Sequence, residues 1–197
     1  MPRQVDVAAR HEEFVRASLA TIADLGLAGA TLRRVAERAG CTTGALTHYF
    51  PNRNRLLVDT LAYVHVQAGQ RMMAVLERQE LNDGQKLRAV LLESLPLDVA
   101  RLQEWRVWLA FWSAAMDDAD LAQENRRRYV QWTALVRELL TPLVAKPRVE
   151  IETSRLIALV DGLGVGLVRQ KIAGNQLASV RDEVAAVLER HLSELSI

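Results

Sequence analysis

Trp105, Trp108, Trp112 and Met116 stand at spacings of three, four and four, with Phe111 beside Trp108 at the next turn. On a helix these side chains share one face. Indole walls can hold a quaternary ammonium group, which offers no hydrogen bonds and is attracted by the aromatic quadrupole. Asp161, an acid inside the apolar tract Leu156 to Val168, could balance such a cation. Together with His65 they form a candidate pocket: His65, Trp105, Trp108, Phe111, Trp112, Met116 and Asp161. The same indoles would serve equally as a core seam or a subunit interface, since large rings bury area wherever they go. Asp161 could instead pair with an arginine such as Arg155 or Arg169, within the chain or across a dimer, because a buried acid needs a partner.

Other chemistry is poorly provided for. His11, His48, His65 and His191 lack metal-ligand spacing, and the single cysteine, Cys41, is too few for a disulfide or a cysteine zinc site. Gly162, Gly164 and Gly166 follow no strand and lack the spacing of a phosphate loop. With no nucleophile and base pair and no cofactor loop, the chain reads as a non-enzyme without metal or cofactor.

A second set of residues suits nucleic acid. Thr31, Arg33, Thr42, Thr43, Ala45, Thr47, His48, Tyr49 and Arg53 cluster within one short stretch. Thr43, Ala45, Thr47 and His48 are short or polar enough to reach base edges. Thr31, Arg33, Tyr49 and Arg53 suit phosphate, Arg53 standing near a helix N-terminus that favours an anion. Net charge is only +1, but residues 1 to 55 carry eight arginines against five acids, whereas the remainder has 17 basic and 19 acidic residues. The sign of that asymmetry fits a small head that meets phosphate and a larger body that does not.

The elements that must position these residues are helical throughout. Apolar residues recur every three or four positions and no strand-like alternation is sustained, which predicts an all-α fold of about nine helices: a three-helix head joined by a long helix to a C-terminal bundle. The first helix is expected from Val7 to Leu25, its stripe Phe14, Ala17, Leu19 and Ile22, ended by Gly26 in a left-handed conformation. Thr31 would cap a short helix to Ala39, and Gly40 to Thr43 would turn the chain into a second, Gly44 to Tyr49, stopped by Pro51. Two short helices around a glycine-containing turn make a helix-turn-helix, with Leu46 and Phe50 packing inward on Val35 and Ala36. A long helix from Asn52 to about Arg78 would bury Leu57, Leu61, Val64, Ala68, Met72 and Val75. Asn82-Asp83-Gly84 reads as a turn before helices at 85–94, 97–116 and, starting on Asp117-Asp118, to about Leu140. The last two are expected at Val149 to Ala173 and, beyond Gly174-Asn175, at Ser179 to Leu195, with Ser179 and Asp182 approximating a capping box. The first of this pair is apolar almost all round, so a second copy of the chain is expected to complete its burial. The candidate seam is Leu156, Val160, Leu163, Leu167, Val184, Leu188 and Leu192. Domain limits are placed at 7–52 for the head and 53–197 for the sensing and dimerising body.

The run from Thr31 through Gly40, Cys41 through Phe50 and Pro51 through Leu57 resembles the DNA-binding block of the TetR family of bacterial repressors. Thr47-His48-Tyr49-Phe50, Trp108 to Trp112 and Ala158 to Leu163 are similar to the BetI-like, choline-responsive subfamily. The resemblance implies a homodimeric repressor that occupies a near-palindromic operator on double-stranded DNA and releases it when a small molecule binds the body. In BetI-like segments a tryptophan follows Asp-Gly-Leu where this chain has Gly164, which counts against choline. The expected effector is cationic or aromatic-friendly, with its identity and the choice between activation and repression left open. The runner-up function is a helical interaction module that has lost DNA binding. The opening residues lack a secretory apolar stretch and the longest apolar tract is interrupted by Asp161, so a cytoplasmic location without membrane contact is expected.

Overall fold

The computed structural model describes residues 6–170, 177–195 and 197. Among them are nine α-helices and no strand: α1 (Val7–Gly29), α2 (Leu32–Arg38), α3 (Thr43–Tyr49), α4 (Arg53–Leu76), α5 (Asp83–Glu93), α6 (Val99–Ala114), α7 (Ala119–Leu140), α8 (Val149–Arg169) and α9 (Leu177–Glu194). A single 3-10 turn, Lys146–Arg148, leads into α8.

Most boundaries follow local chemistry. Asp6 caps α1 by accepting from the N–H groups of Ala8 and Ala9. Gly26 takes φ +69°, a left-handed break, and one further helical turn carries the chain to Gly29. The Asn82-Asp83-Gly84 stretch proves to be the start of α5 rather than a free turn. Asn82 and Gln85 each accept from the other's backbone N–H, a reciprocal box that satisfies two orphan donors. The cap expected at Ser179 is corrected in the same way: α9 begins at Leu177, two residues earlier, so Ser179 cannot cap it. The end expected for α8 at Ala173 and the break at Gly174-Asn175 lie outside the described residues.

Packing divides the chain into two compact units. One comprises His65 and the residues before it with Arg106–Glu124, the other Val66–Trp105 with Asn125–Ile197. The first holds two cores. Phe14, Val15, Val35, Ala36, Leu46, Phe50 and Leu56 join α1 to α4 in one of them. Ile22, Leu57, Leu61 and Val64 meet Val107 and Phe111 of α6 and Leu121 of α7 in the other.

In the second unit Met72, Val75 and Val90 form a core with Trp132, Leu135 and Leu139 packed against it. A charged network fastens α4 to α5 and α6 here. Arg71 forks onto both oxygens of Glu104 at 2.9 and 2.6 Å, while Arg101 reaches Glu93 at 3.1 Å and Asp98 at 2.8 Å. Bidentate guanidinium–carboxylate pairing fixes orientation as well as charge. Arg88 on α5 pairs with Glu189 on α9.

Candidate nucleic-acid interface and effector site

The helix-turn-helix assembles from its caps and its core. Thr31 Oγ1 accepts from Arg34 N–H at 3.3 Å and Thr42 Oγ1 from Ala45 N–H at 3.2 Å, so each short helix starts on a threonine hydroxyl. Between them Gly40 adopts φ +63°, which a glycine takes without steric cost, and Cys41 N–H returns to the Ala36 carbonyl at 3.0 Å. Leu46 and Phe50 are fully buried against Val35 and Ala36, as the four-residue spacing predicts.

That burial decides what α3 shows to solvent. Thr43, Ala45, Thr47 and His48 are exposed, as are Thr31, Arg33 and Thr42. Thr47 Oγ1 donates to the Gly44 carbonyl at 3.1 Å, which leaves its lone pairs free to accept. Tyr49 is partly buried, its ring edge-on to Phe14 at 5.2 Å and to His48 at 5.6 Å. Behind α3, His11 stacks on Phe50 at 4.7 Å and bonds Asp59 at 3.0 Å, a tie between α1 and α4 that sequence spacing did not signal.

Arg53 differs from the phosphate ligand expected of it. Its Nε donates to the Ala30 carbonyl at 2.9 Å and its Nη2 to the Leu27 carbonyl. The guanidinium closes the C-terminal end of α1, where carbonyls lack helical partners. Glycine at 26 and 29 could have pointed to an end in need of a donor, but nothing in the spacing identified the arginine.

In the body the aromatic set divides by burial. Within the first unit Phe111 is fully buried in the core with Ile22 and Leu61. Trp108 and Trp112 are partly buried, Trp108 meeting His65 edge-on at 6.2 Å, and Met116 is 81% exposed. Within the second unit Trp105 is buried, its Nε1 donating to the Ser94 carbonyl at 2.7 Å and its ring lying against Gly164. Phe111 and Trp105 are therefore packing residues, and Met116 faces water.

Within the chain Asp161 is paired with neither arginine considered for it. Arg155 reaches Glu152 at 3.1 Å, and Asp161 Oδ2 accepts from the Tyr129 hydroxyl on α7 at 2.9 Å. Burial pushes the Asp161 carboxyl above its ordinary range, partly offset by that hydrogen bond. Burial, then the bond and the charge of Asp161, push the Tyr129 hydroxyl up to about 12. Glu152 shows the contrast. Its burial is outweighed by Arg148 and Arg155, which hold the carboxyl below its usual range.

The seam read for self-association turns inward. Leu156, Val160, Leu167, Val184, Leu188 and Leu192 are all buried within the single chain and Leu163 partly so. α8 is apolar on nearly every side, so periodicity cannot say which side the protomer itself covers. Among the described residues Ile151, Ala158 and Val165 on α8 and Ala186 and Val187 on α9 are apolar and left outside. Among the described residues no group of His, Cys, Asp and Glu side chains could hold a metal ion, and no helix is long and apolar enough to cross a membrane.

A helix-turn-helix with a polar recognition face, carried by an all-helical body, defines a DNA-binding transcription regulator. Residues 14–60 match the family model of bacterial regulatory proteins of the tetR family, and residues 84–196 match that of the BetI-type transcriptional repressor C-terminal region. The chain belongs to the TetR family, with a C-terminal region of the BetI type. It is 34% identical to the HTH-type transcriptional regulator BetI of Paraburkholderia phytofirmans over 78% of this chain and 79% of that one. It is 27% identical to the HTH-type transcriptional regulator PksA of Bacillus subtilis over 100% of this chain and 95% of that one. Among solved structures, a regulator from Saccharomonospora viridis in complex with choline matches with a TM-score of 0.79 at 19% identity, covering 92% of this chain and 96% of that one. Family and relatives are regulators rather than enzymes, and they do not favour a module that has lost DNA binding.

Proposed function

We propose that this regulator works as a homodimer, setting α3 of each head into the major groove of a near-palindromic operator and leaving it when a small molecule occupies the body. The observation that carries the reading is the exposed row Thr43, Ala45, Thr47 and His48, on a helix whose opposite side is anchored by fully buried Leu46 and Phe50. A recognition helix needs that combination of rigid seating and short polar side chains. Thr31, Arg33, Thr42 and Tyr49 would contact phosphates and fix the register. Arg53 would support them from behind, by holding the end of α1.

By role the chain divides into a reading head, 7–52, and a sensing body, 53–197. Two copies would meet through the outer apolar residues of α8 and α9, Ile151, Ala158, Val165, Ala186 and Val187. Release follows from linkage: an effector that prefers the arrangement of the dimer unable to bind DNA weakens operator affinity by that preference, typically about 1–3 kcal/mol. Partly buried Trp108, Trp112 and His65 remain the aromatic candidates for effector contact, and an aromatic-friendly molecule is the expected class. A regulator of chromosomal DNA acts in the cytoplasm.

Selection of random duplex DNA by the purified protein, repeated across salt concentrations, tests the reading. A motif of two related half-sites about one helical turn apart is expected. Enrichment of no motif at any salt would refute it.

A further inference from the structure

We propose that Gly44 is the point at which the main chain of α3 meets the base-pair edges of the operator, and that its missing side chain sets how deeply the helix seats. The inference rests on reading α3 as the recognition helix, and adds to its contacts a residue that has no side chain to offer.

Glycine within a helix costs stability relative to alanine, because its backbone loses more freedom on folding. Of the four glycines between residues 7 and 55, three answer a demand from within the chain. Gly26 and Gly40 stand at φ +69° and +63°, where L side chains are strained, and a Cβ at Gly29 would lie 2.6 Å from the Cβ of Leu25. Gly44 answers no such demand. It lies within α3, is exposed and has no left-handed φ. A Cβ built on it meets Thr42 Oγ1 at 3.9 Å, an ordinary contact. The fold would accept alanine here and be firmer for it, so the reason for glycine lies outside the protomer.

Its position says what lies there. Gly44, Thr47 and His48 follow the spacing i, i+3 and i+4, so they share one face of α3, and all three are exposed. Leu46 and Phe50 close the other side in the core. A helix with its side chains is about 10–12 Å across and the major groove about 12 Å wide, so the helix fills the width and the residues facing the floor fix its depth. With no side chain at 44, the Cα itself can rest on a base edge while Thr47 and His48 reach past it on either flank. A methyl group would stand the helix off by about 1.5 Å, the length of a carbon–carbon bond. A hydrogen bond of about 2.9 Å from either neighbour would then pass out of range. Contacts to phosphates at the groove's rim need no such depth.

Gly44→Ala in the full chain, followed by thermal melting and by titration with a selected operator duplex and an unrelated duplex of equal length, tests the assignment. The melting temperature is expected to rise by about 1–4 °C. Operator affinity should fall about tenfold or more, while affinity for the unrelated duplex stays within about twofold. Gly69→Ala serves as the control: it lies on α4, a Cβ built there meets nothing within 4 Å, and it should be stabilised comparably while binding operator as wild type does. Unchanged operator affinity in Gly44→Ala overturns the proposal, and so does a lowered melting temperature, which would mean that the fold itself requires the glycine. Equal losses on both duplexes would set the residue against the sugar–phosphate backbone and overturn the assignment to base edges. An equal loss in Gly69→Ala would overturn it too, by tracing the effect to stiffening. Wild-type protein that selects no duplex defeats the regulator reading and the proposal together, whereas wild type and Gly44→Ala binding operator alike defeats the proposal alone.

Discussion

The indole of Trp105 occupies the space that a side chain at position 164 would need: a Cβ built on Gly164 lies 2.0 Å from its Cη2 atom. The ring is pinned from its other side by the Nε1–H bond to the Ser94 carbonyl. The absence of a side chain at 164 lets an indole carried by α6 lie against α8, one turn along from Asp161.

Gly164→Ala is expected to push Trp105 off its seat and destabilise the protein by about 1–3 kcal/mol, as overpacking of a filled site does. Thermal melting checks it, each kcal/mol corresponding to about 2–4 °C for a chain of this size. Near-UV circular dichroism should lose intensity in step. An unchanged melting temperature would mean that α6 and α8 separate freely.

Arg53→Ala leaves the carbonyls of Leu27 and Ala30 without their donor, and is expected to cost about 1–3 kcal/mol of stability. DNA affinity should fall on all sequences alike, and most at elevated temperature. Arg53→Lys should not restore it, since one ammonium cannot reproduce two divergent N–H donors. If Arg53→Ala melts like wild type yet loses DNA, the residue contacts phosphate directly.

Thr47→Ala and His48→Ala remove exposed groups from α3 and are expected to leave stability within about 0.5 kcal/mol. Sequence preference should relax at one or two positions of each half-site, by about 1–3 kcal/mol per lost base contact. Selection profiles identical to wild type would take these two residues out of base recognition.

Asp161→Asn is expected to raise the melting temperature at pH 7. Burial lifts the native carboxyl above its ordinary range, so the unfolded chain ionises first, and the native state bears a penalty that is complete above the folded pKa. The advantage of asparagine should shrink as pH falls and vanish below the ordinary Asp range, about 3.9. A difference that persists at low pH would have another origin, since both forms are then neutral.

What could be read from the sequence was local. Gly26 and Gly40 take left-handed φ where helices were expected to end, and Leu46 and Phe50 bury where their spacing put them. Partners distant in sequence could not be read. Tyr129 stands 32 residues from Asp161 and Arg53 is 23 from Ala30; no periodicity links such pairs. α8 shows a different limit. A helix apolar on every side announces burial but not which neighbour provides it, and so Leu156 and Val160 belong to the protomer's own core. Trp105 and Phe111 carry the same lesson, because an aromatic stripe has no mark separating wall from filling.

All seven described arginines among residues 7–55 are engaged within the chain: Arg10, Arg16, Arg33, Arg38 and Arg55 with carboxylates, Arg34 and Arg53 with backbone carbonyls. Each carries a neighbouring acceptor that already offsets part of its charge before it meets a phosphate. The counterions shed from DNA on association would then be few, and the dependence of affinity on salt shallower than the arginine tally implies. Grip on the duplex would come instead from threonine hydroxyls and the amide ends of two short helices, which release no ions. Such a regulator would hold its operator nearly as well in a salt-stressed cell as in a dilute one.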